Sequence, residues 1–362
     1  MPTHLAESGK VRGAFGLMAG LLTLFVVRMW PGAEAAVSEG PTVESHTLLA
    51  WLVALPVLAS IAVLFMPRQS PRLIQGFTFL AMIVELALSL PLLSVNMGRA
   101  FHFNQDIPWV ASLGIHWHVA VDGVSLWLVL LTTFIVPVAA YASFGSITTR
   151  VKDWCFALLL LEGAMVGTFV SLDVVLFYVF FEAMLIPVYF LIGLFGGPRR
   201  QYAAMKFILF SLAGGLIMLV GVIALYVHGP GGADGFLVEK LIGNVGGSVE
   251  AQRWMFLAFF IAFAIKAPMW PVHTWLPDAH AESPAPASAM LSGSLLNCAL
   301  FGIWKVSSII NAAQPNSHVH QLVAILGTIT VVAASLLLLR QHNFKRLWAY
   351  SSIENVGLMV FA

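Results

Sequence analysis

The stretch Val174-Val-Leu-Phe-Tyr-Val-Phe-Phe-Glu182-Ala-Met-Leu-Ile-Pro187-Val-Tyr-Phe-Leu-Ile-Gly-Leu-Phe-Gly196 decides the fold class. A bilayer core is crossed by about 20 apolar residues rising about 1.5 Å each, so this run is long enough to span one. Yet Glu182 stands near its middle, and Pro187 follows a little over one turn later. Proline has no N–H to give, so it frees the carbonyl of Ala183, directly beside the glutamate. A carboxylate at that depth costs about 2.5–3.5 kcal/mol even on the lenient insertion scale. It must therefore face protein or water, and a broken helix at membrane depth is tolerated where it lines a wet cavity.

Working outward, the whole chain has the same character. Of 362 residues, 59% are apolar and only 10% are charged, and the mean hydropathy is +0.90. A soluble fold needs more surface charge, so the composition specifies a membrane protein. Apolar runs fall near 13–30, 48–66, 74–95, 120–142, 154–171, 174–196, 203–227, 254–271, 286–306, 320–339 and 347–362. Backbone in hydrocarbon must satisfy its own hydrogen bonds, so all are expected to be helices. The reading is an all-α polytopic membrane protein of 10–11 transmembrane helices. The first run, preceded by Lys10 and Arg12, also fits a signal peptide. Residues 1–47 are therefore set apart as an N-terminal extension, and 48–362 as the membrane domain.

Basic residues orient the bundle. With Lys10 and Arg12 inside, the inside loops also hold Arg68, Arg72, Arg150, Lys152, Arg199, Arg200, Arg340, Lys345 and Arg346. Arg28, Arg99, Lys240, Arg253 and Lys305 fall to the opposite side. This eleven-to-five asymmetry follows the positive-inside rule. A net charge of +1 gives no field that would hold nucleic acid. Cys155 and Cys298 are too few for an iron–sulfur cluster or a disulfide framework, no haem attachment signature occurs, and the glycines from Gly229 form a loop. No cofactor is expected in this chain.

Ionisable groups inside the runs are the candidate functional residues. Glu85, Glu162 and Glu182 lie mid-run, and Lys266 is about 18 Å past Trp254. Pro268 frees the carbonyl of Ala264 beside Lys266, as Pro187 does beside Glu182. Two breaks, each next to a buried charge of opposite sign, suit either an ion pair locking helices together or a proton path. Glu85 has no evident partner in the sequence. Lys206, four residues into its run, is placed to snorkel to the interface. Asp122 and Asp173 stand where carboxylates cap helices. His273 follows Lys266 by seven residues, and Asp278, His280 and Glu282 gather near the inner surface without any zinc-ligand spacing.

Two segments carry a resemblance. Phe177-Tyr-Val-Phe-Phe-Glu-Ala-Met-Leu-Ile-Pro-Val-Tyr189 and Lys266-Ala-Pro-Met-Trp-Pro-Val-His-Thr-Trp-Leu-Pro-Asp-Ala-His280 resemble the antiporter-like membrane subunits of respiratory complex I, of the subunit M or chain 4 type. Val121-Asp-Gly-Val-Ser-Leu126 and Phe344-Lys-Arg-Leu-Trp-Ala-Tyr-Ser-Ser352 are similar to further motifs of that family, and the likeness runs over about 48–362. The superfamily includes Mrp-type antiporter and hydrogenase membrane subunits.

The resemblance implies two inverted helix bundles, each with one broken helix, and a proton half-channel in which Glu182 modulates Lys266 through a salt bridge. When such a pair parts, loss of solvation disfavours the charged lysine and releases its proton. His273, Glu162, Lys206 and Glu354 are supporting relay candidates. Redox chemistry would belong to partner subunits of a bacterial inner-membrane NADH:quinone oxidoreductase. Three departures stand out. Asn297 occupies the position where the family offers a lysine or histidine. Glu354-Asn-Val-Gly357 replaces Ser-His-Met-Gly and is closer to hydrogenase-type relatives. The chain also stops before the family's last helices, as a fragment or split subunit would. A hydrogenase-type or Mrp-type assembly, and an anchor whose relay is lost, remain the alternatives.

Overall fold

The computed structural model describes residues 47–94, 101–313 and 319–361, and it is helical almost throughout. The run at 13–30, with Lys10 and Arg12, lies outside the described residues. In chain order the elements begin with α1 (Leu48–Phe65) and α2 (Pro71–Ser89), the latter extended by a 3-10 turn to Ser94. A hairpin follows, β1 (His102–Val110) and β2 (Ile115–Val121). Next come α3 (Gly123–Ser143), α4 (Val151–Val170), the two halves α5 (Val174–Ala183) and α6 (Leu185–Phe195), and α7 (Arg200–His228). The second broken helix is α8 (Val249–Lys266) with α9 (Trp275–Glu282). α10 (Ala285–Met290) runs through a π turn, Leu291–Leu295, into α11 (Leu296–Ala313), and α12 (Val319–Leu338) and α13 (Phe344–Phe361) complete the bundle. Among the described residues, eight stretches are long and apolar enough to cross a membrane. The apolar runs from residue 48 onward become helix near their sequence limits, except that 267–271 of the 254–271 run falls in the break after Lys266.

Start signals are chemical. The Asp122 carboxylate accepts from the backbone N–H groups of Val124 and Ser125, while Ser125 Oγ accepts from the Asp122 N–H, a reciprocal cap for α3. Asp173 Oδ1 accepts from Val175 and Leu176 at 2.8 and 2.9 Å and starts α5. Both are the capping roles the sequence suggested. α4 is the axis of the fold: sixteen of its twenty residues are buried, so it is enclosed by other helices. α7 instead exposes Leu209, Leu216, Val220, Ile223 and Val227, a face that only lipid or another apolar surface suits.

α12 and α13 cross closely. A Cβ on Gly327 would lie 2.8 Å from the Phe361 backbone nitrogen, and one on Gly357 would lie 3.0 Å from the Gly327 carbonyl oxygen. This gives Gly357, at the end of the Glu354-Asn-Val-Gly motif, a packing role of the small-residue kind seen between membrane helices.

A hairpin joins the helical bundle. No apolar run covers 101–119, but Ile115-His-Trp-His-Val119 alternates apolar and polar residues with the period of a strand. Asp106 pairs with His118 and Ile107 with Trp117 in an antiparallel register with irregularities near both ends. The hairpin is docked on the bundle: Leu172 N–H donates to the His118 carbonyl at 2.8 Å, and His116 N–H donates to Asp173 Oδ2 at 3.0 Å. Gly114, with φ +69°, turns the chain so tightly that any side chain there would strike the carbonyl oxygens of Gly232 and Ala233.

His116 ties these loops together. Its Nδ1 lies 2.6 Å from Asp106 Oδ1 and its Nε2 lies 3.1 Å from the Ala233 carbonyl. Both neighbours are acceptors, so both ring nitrogens donate only in the charged imidazolium. Burial works against that charge, but the hydrogen bond and charge of Asp106 outweigh it and raise the His116 pKa above its ordinary value.

Two outcomes follow from this packing. Gly327→Ala forces backbone against backbone and should destabilise the α12–α13 pair by about 1–3 kcal/mol, read from the denaturation midpoint in detergent. The His116 contribution is complete at acid pH and is lost as pH rises through its raised pKa. Amide exchange at Leu172 should therefore accelerate with pH beyond its intrinsic base-catalysed rise in wild type, but not in Asp106→Asn.

Candidate functional site

The two helix breaks face one another. α5 ends at Ala183 and α6 begins at Leu185, placing the interruption at Met184, next to Glu182. α8 ends at Lys266, a fully buried lysine at 1% exposure. Its ammonium donates to the backbone carbonyl of Phe181 and sits 3.6 Å from the centre of the Phe181 ring. A carbonyl in the last turn of a half-helix carries the negative end of that helix's dipole, and the ring face adds a second attraction for a cation. The broken helix α5 thus supplies an uncharged binding place for a charged lysine.

The Glu182 carboxylate lies within electrostatic reach of Lys266, but no ion pair joins them. It is half-buried and rests against Gly215 of α7, where a Cβ would overlap it. The salt bridge that the resemblance implies is therefore open here, with the lysine bonded one residue away from the glutamate.

Proline at 268 does not leave its carbonyls bare. The Ala264 carbonyl, expected to be orphaned, accepts from Met269 N–H at 2.8 Å, and the Ile265 carbonyl accepts from the Trp275 indole at 2.6 Å. Trp270 N–H bonds Thr330 Oγ1 of α12 at 3.1 Å. Tryptophan and threonine side chains thus replace helix bonds, as a break at membrane depth requires.

His273, 6% exposed, sits in a 3-10 turn between the half-helices, with its ring centre 6.1 Å from that of Tyr350 and its Nδ1 without a hydrogen-bond partner. Lys206 reaches the polar loop with its ammonium partly exposed. Its Nζ is held at 2.8 Å from both the Thr274 carbonyl and Asp278 Oδ2. Arg346 reaches Asp278 from the other side at 2.5 Å. The polar loop expected near the inner surface is thus a docking point: Glu282 Oε2 accepts from Arg199 N–H at 2.9 Å, and Lys345 donates to the Ser283 carbonyl at 2.9 Å. Among the described residues no group of His, Cys, Asp or Glu could hold a metal ion.

Residues 171–362, more than half of the chain, match the family described as NADH:quinone oxidoreductase/Mrp antiporter, transmembrane. The chain belongs to this family. NADH-quinone oxidoreductase subunit M of Rhodobacter capsulatus is 38% identical over 335 residues, covering 86% of this chain and 63% of that protein. A chain of respiratory complex I from Thermus thermophilus with bound NADH superimposes with a TM-score of 0.73 at 28% identity, over 86% of this chain and 63% of that one. A chain of the Mrp complex from Dietzia sp. DQ12-45-1b shares the fold, with a TM-score of 0.75 at 19% identity, over 86% of this chain and 34% of that one. The chain spans about three fifths of the length of the curated relatives it matches.

Against the family pattern, the remaining candidates separate. Asn297, just after the π turn, donates to the Gly293 carbonyl of its own helix at 2.7 Å. Glu354 accepts from Ser335 Oγ of α12 at 2.7 Å, and no hydrogen bond connects it with Asn297. Glu162 faces Glu85 rather than Lys266. Lys305, assigned from sequence to an outer helix end, is 7% exposed. Its Nζ lies 3.4 Å from the Ser171 carbonyl and 4.8 Å from the Phe301 ring centre, beside a small cavity also lined by Val174, Phe177 and Phe259. The signal available in sequence was its spacing, eight residues from Asn297 along one helix.

Gly215 gives a test of the seat beneath Glu182. Gly215→Ala should push the carboxylate from its seat and destabilise the packing of α5 on α7 by about 1–3 kcal/mol, read from the denaturation midpoint in detergent. An unchanged midpoint would mean that Glu182 does not rest on Gly215.

Proposed function

We propose that this chain is a proton-translocating membrane subunit of a complex I-type NADH:quinone oxidoreductase, in which Glu182 and Lys266 act as a switch pair. The observation that carries this reading is the Lys266 ammonium, enclosed at a helix break and bonded to the last turn of the opposing half-helix rather than to a carboxylate. A lysine retained only as a static anchor would gain most from direct pairing with Glu182. One held by a neutral carbonyl and a ring face has a weaker grip on its proton, and a short movement of Glu182 changes that grip. Desolvation favours release when the glutamate is remote, and its approach favours uptake.

His273, Lys206 and Asp278 continue from this pair toward the end of the bundle where Arg199, Lys345 and Arg346 lie, the side rich in basic residues and therefore the cytoplasmic side. They form the entry line in this reading. Glu354 and Lys305 are candidates for the far side. Electron transfer and quinone chemistry are assigned to partner subunits, and the location to a bacterial inner membrane. A hydrogenase-type or Mrp-type assembly is the second reading. It is supported by the shared fold with the Mrp complex chain and by the Glu354-Asn motif; the higher identity to a complex I chain supports the first.

The test compares Lys266→Arg and Lys266→Ala with wild type in sealed vesicles, scoring assembly and proton pumping together. Arginine keeps the charge but does not deprotonate in proteins. Both variants should assemble, and both should lose pumping by about 100-fold or more. Pumping retained by Lys266→Arg would overturn the switch and leave an ion-holding anchor.

A further inference from the structure

A second set of ionisable groups lies in the membrane interior, outside the residues matched by the family description and away from Lys266. Glu85 of α2 and Glu162 of α4 are both 0% exposed, and α2 packs directly on α4. Their carboxyl groups act on one another electrostatically. None of their four buried oxygens has a hydrogen-bond partner. Glu162 lies 77 positions beyond Glu85, so nothing near Glu85 in the sequence points to it.

The surroundings offer no counter-charge. α1 contains no ionisable residue, and α3 contains only Tyr141, which is exposed on its outer face. On α2 the other charged group is Arg72, in the first turn. On α4, Asp153 pairs with Arg150, and Lys152 donates to the carbonyls of Leu64 and Met66, all at the helix start. The elements packed on the far side of α4 bring Tyr178 and Glu182 from α5, Tyr189 from α6, and Cys298 and Lys305 from α11. Lys266, Cys298 and Lys305 act on groups other than this pair. Two carboxylates in such a place cannot both be ionised, since like charges at contact and loss of solvation both oppose the second charge. Buried carboxyl oxygens without partners are costly, and the one bond this pair can make, to each other, requires a hydrogen on one of them.

Hydroxyls continue the polar face of α2 in both directions. Ser89, one turn beyond Glu85, is 2.9 Å from Thr133 Oγ1 of α3, and both are fully buried. Thr78 lies two turns before Glu85 on the same face, beside Cys155, with its own hydroxyl buried and unpartnered. Thr78, Glu85 and Ser89 thus line the inside of α2 as a polar row in an otherwise apolar interface.

We infer that Glu85 and Glu162 form a proton-binding site in which one proton is shared between two carboxyl groups, separate from the Glu182–Lys266 line. The site stands whether or not Lys266 operates as a switch. Its chemistry is that of an acid–carboxylate pair: one oxygen donates, one accepts, and the pair keeps a single negative charge when loaded with one proton.

The measurement is infrared absorption of the full chain in lipid nanodiscs, as wild type minus the double variant Glu85→Gln/Glu162→Gln. The expected difference is one carboxylic acid equivalent and one carboxylate equivalent per chain, with the acid band moving in deuterium oxide. Loss of two carboxylates, or of two acids, would overturn the shared proton. If the double variant fails to fold, each single glutamine variant is measured instead. Glutamine has the shape of a protonated glutamate, so either substitution should remove or shift the same acid band. A band that answers to only one of the two would place the proton on that residue alone and refute the pair.

Discussion

An ammonium group buried in a membrane has to be held by something, and here it is held by the end of a helix. Lys266 donates to the Phe181 carbonyl, which is accessible because α5 stops two residues later. If α5 and α6 were one regular helix, that carbonyl would be committed to the next turn and the lysine would have no acceptor. If α8 continued unbroken, Lys266 would not stand at its end. Each break therefore makes sense of the other. The proline at each break and the tryptophan that takes the Ile265 carbonyl are consequences of that mutual need.

Much of this was legible in the sequence. Hydropathy located the helices from residue 48 onward because a membrane helix must be apolar along its whole length, so its limits show without any neighbour. The breaks were legible because proline acts on its own backbone. Pairings were less so. The separation of Glu182 from Lys266, the capture of Lys206 by Asp278 and the burial of Lys305 depend on how helices far apart in sequence are turned against one another. Glu85 shows the limit well: its depth followed from its position in its run, but its neighbour belongs to a helix on the far side of a hairpin and another span. That hairpin itself was hidden by its amphipathic strands, which carry a period of two rather than a long apolar signal.

The outer loops and the inner loops use different chemistry to fix the bundle. At one end a charged histidine joins three segments through one carboxylate and one carbonyl. At the other, arginines and lysines close on Asp278 and Glu282. Between these ends the interior relies on shape and on small residues: Gly215 under Glu182, and Gly327 against Gly357. Polar anchoring thus stays at the ends, and the groups in the middle that can carry protons are left with few rigid partners.

Asp278 is shared by two cations, Lys206 and Arg346, and the three groups together hold a surplus of one positive charge. One carboxylate of α9 thus fastens α7 and α13 to the same point. Losing it would free two helices at once and leave two positive charges facing each other.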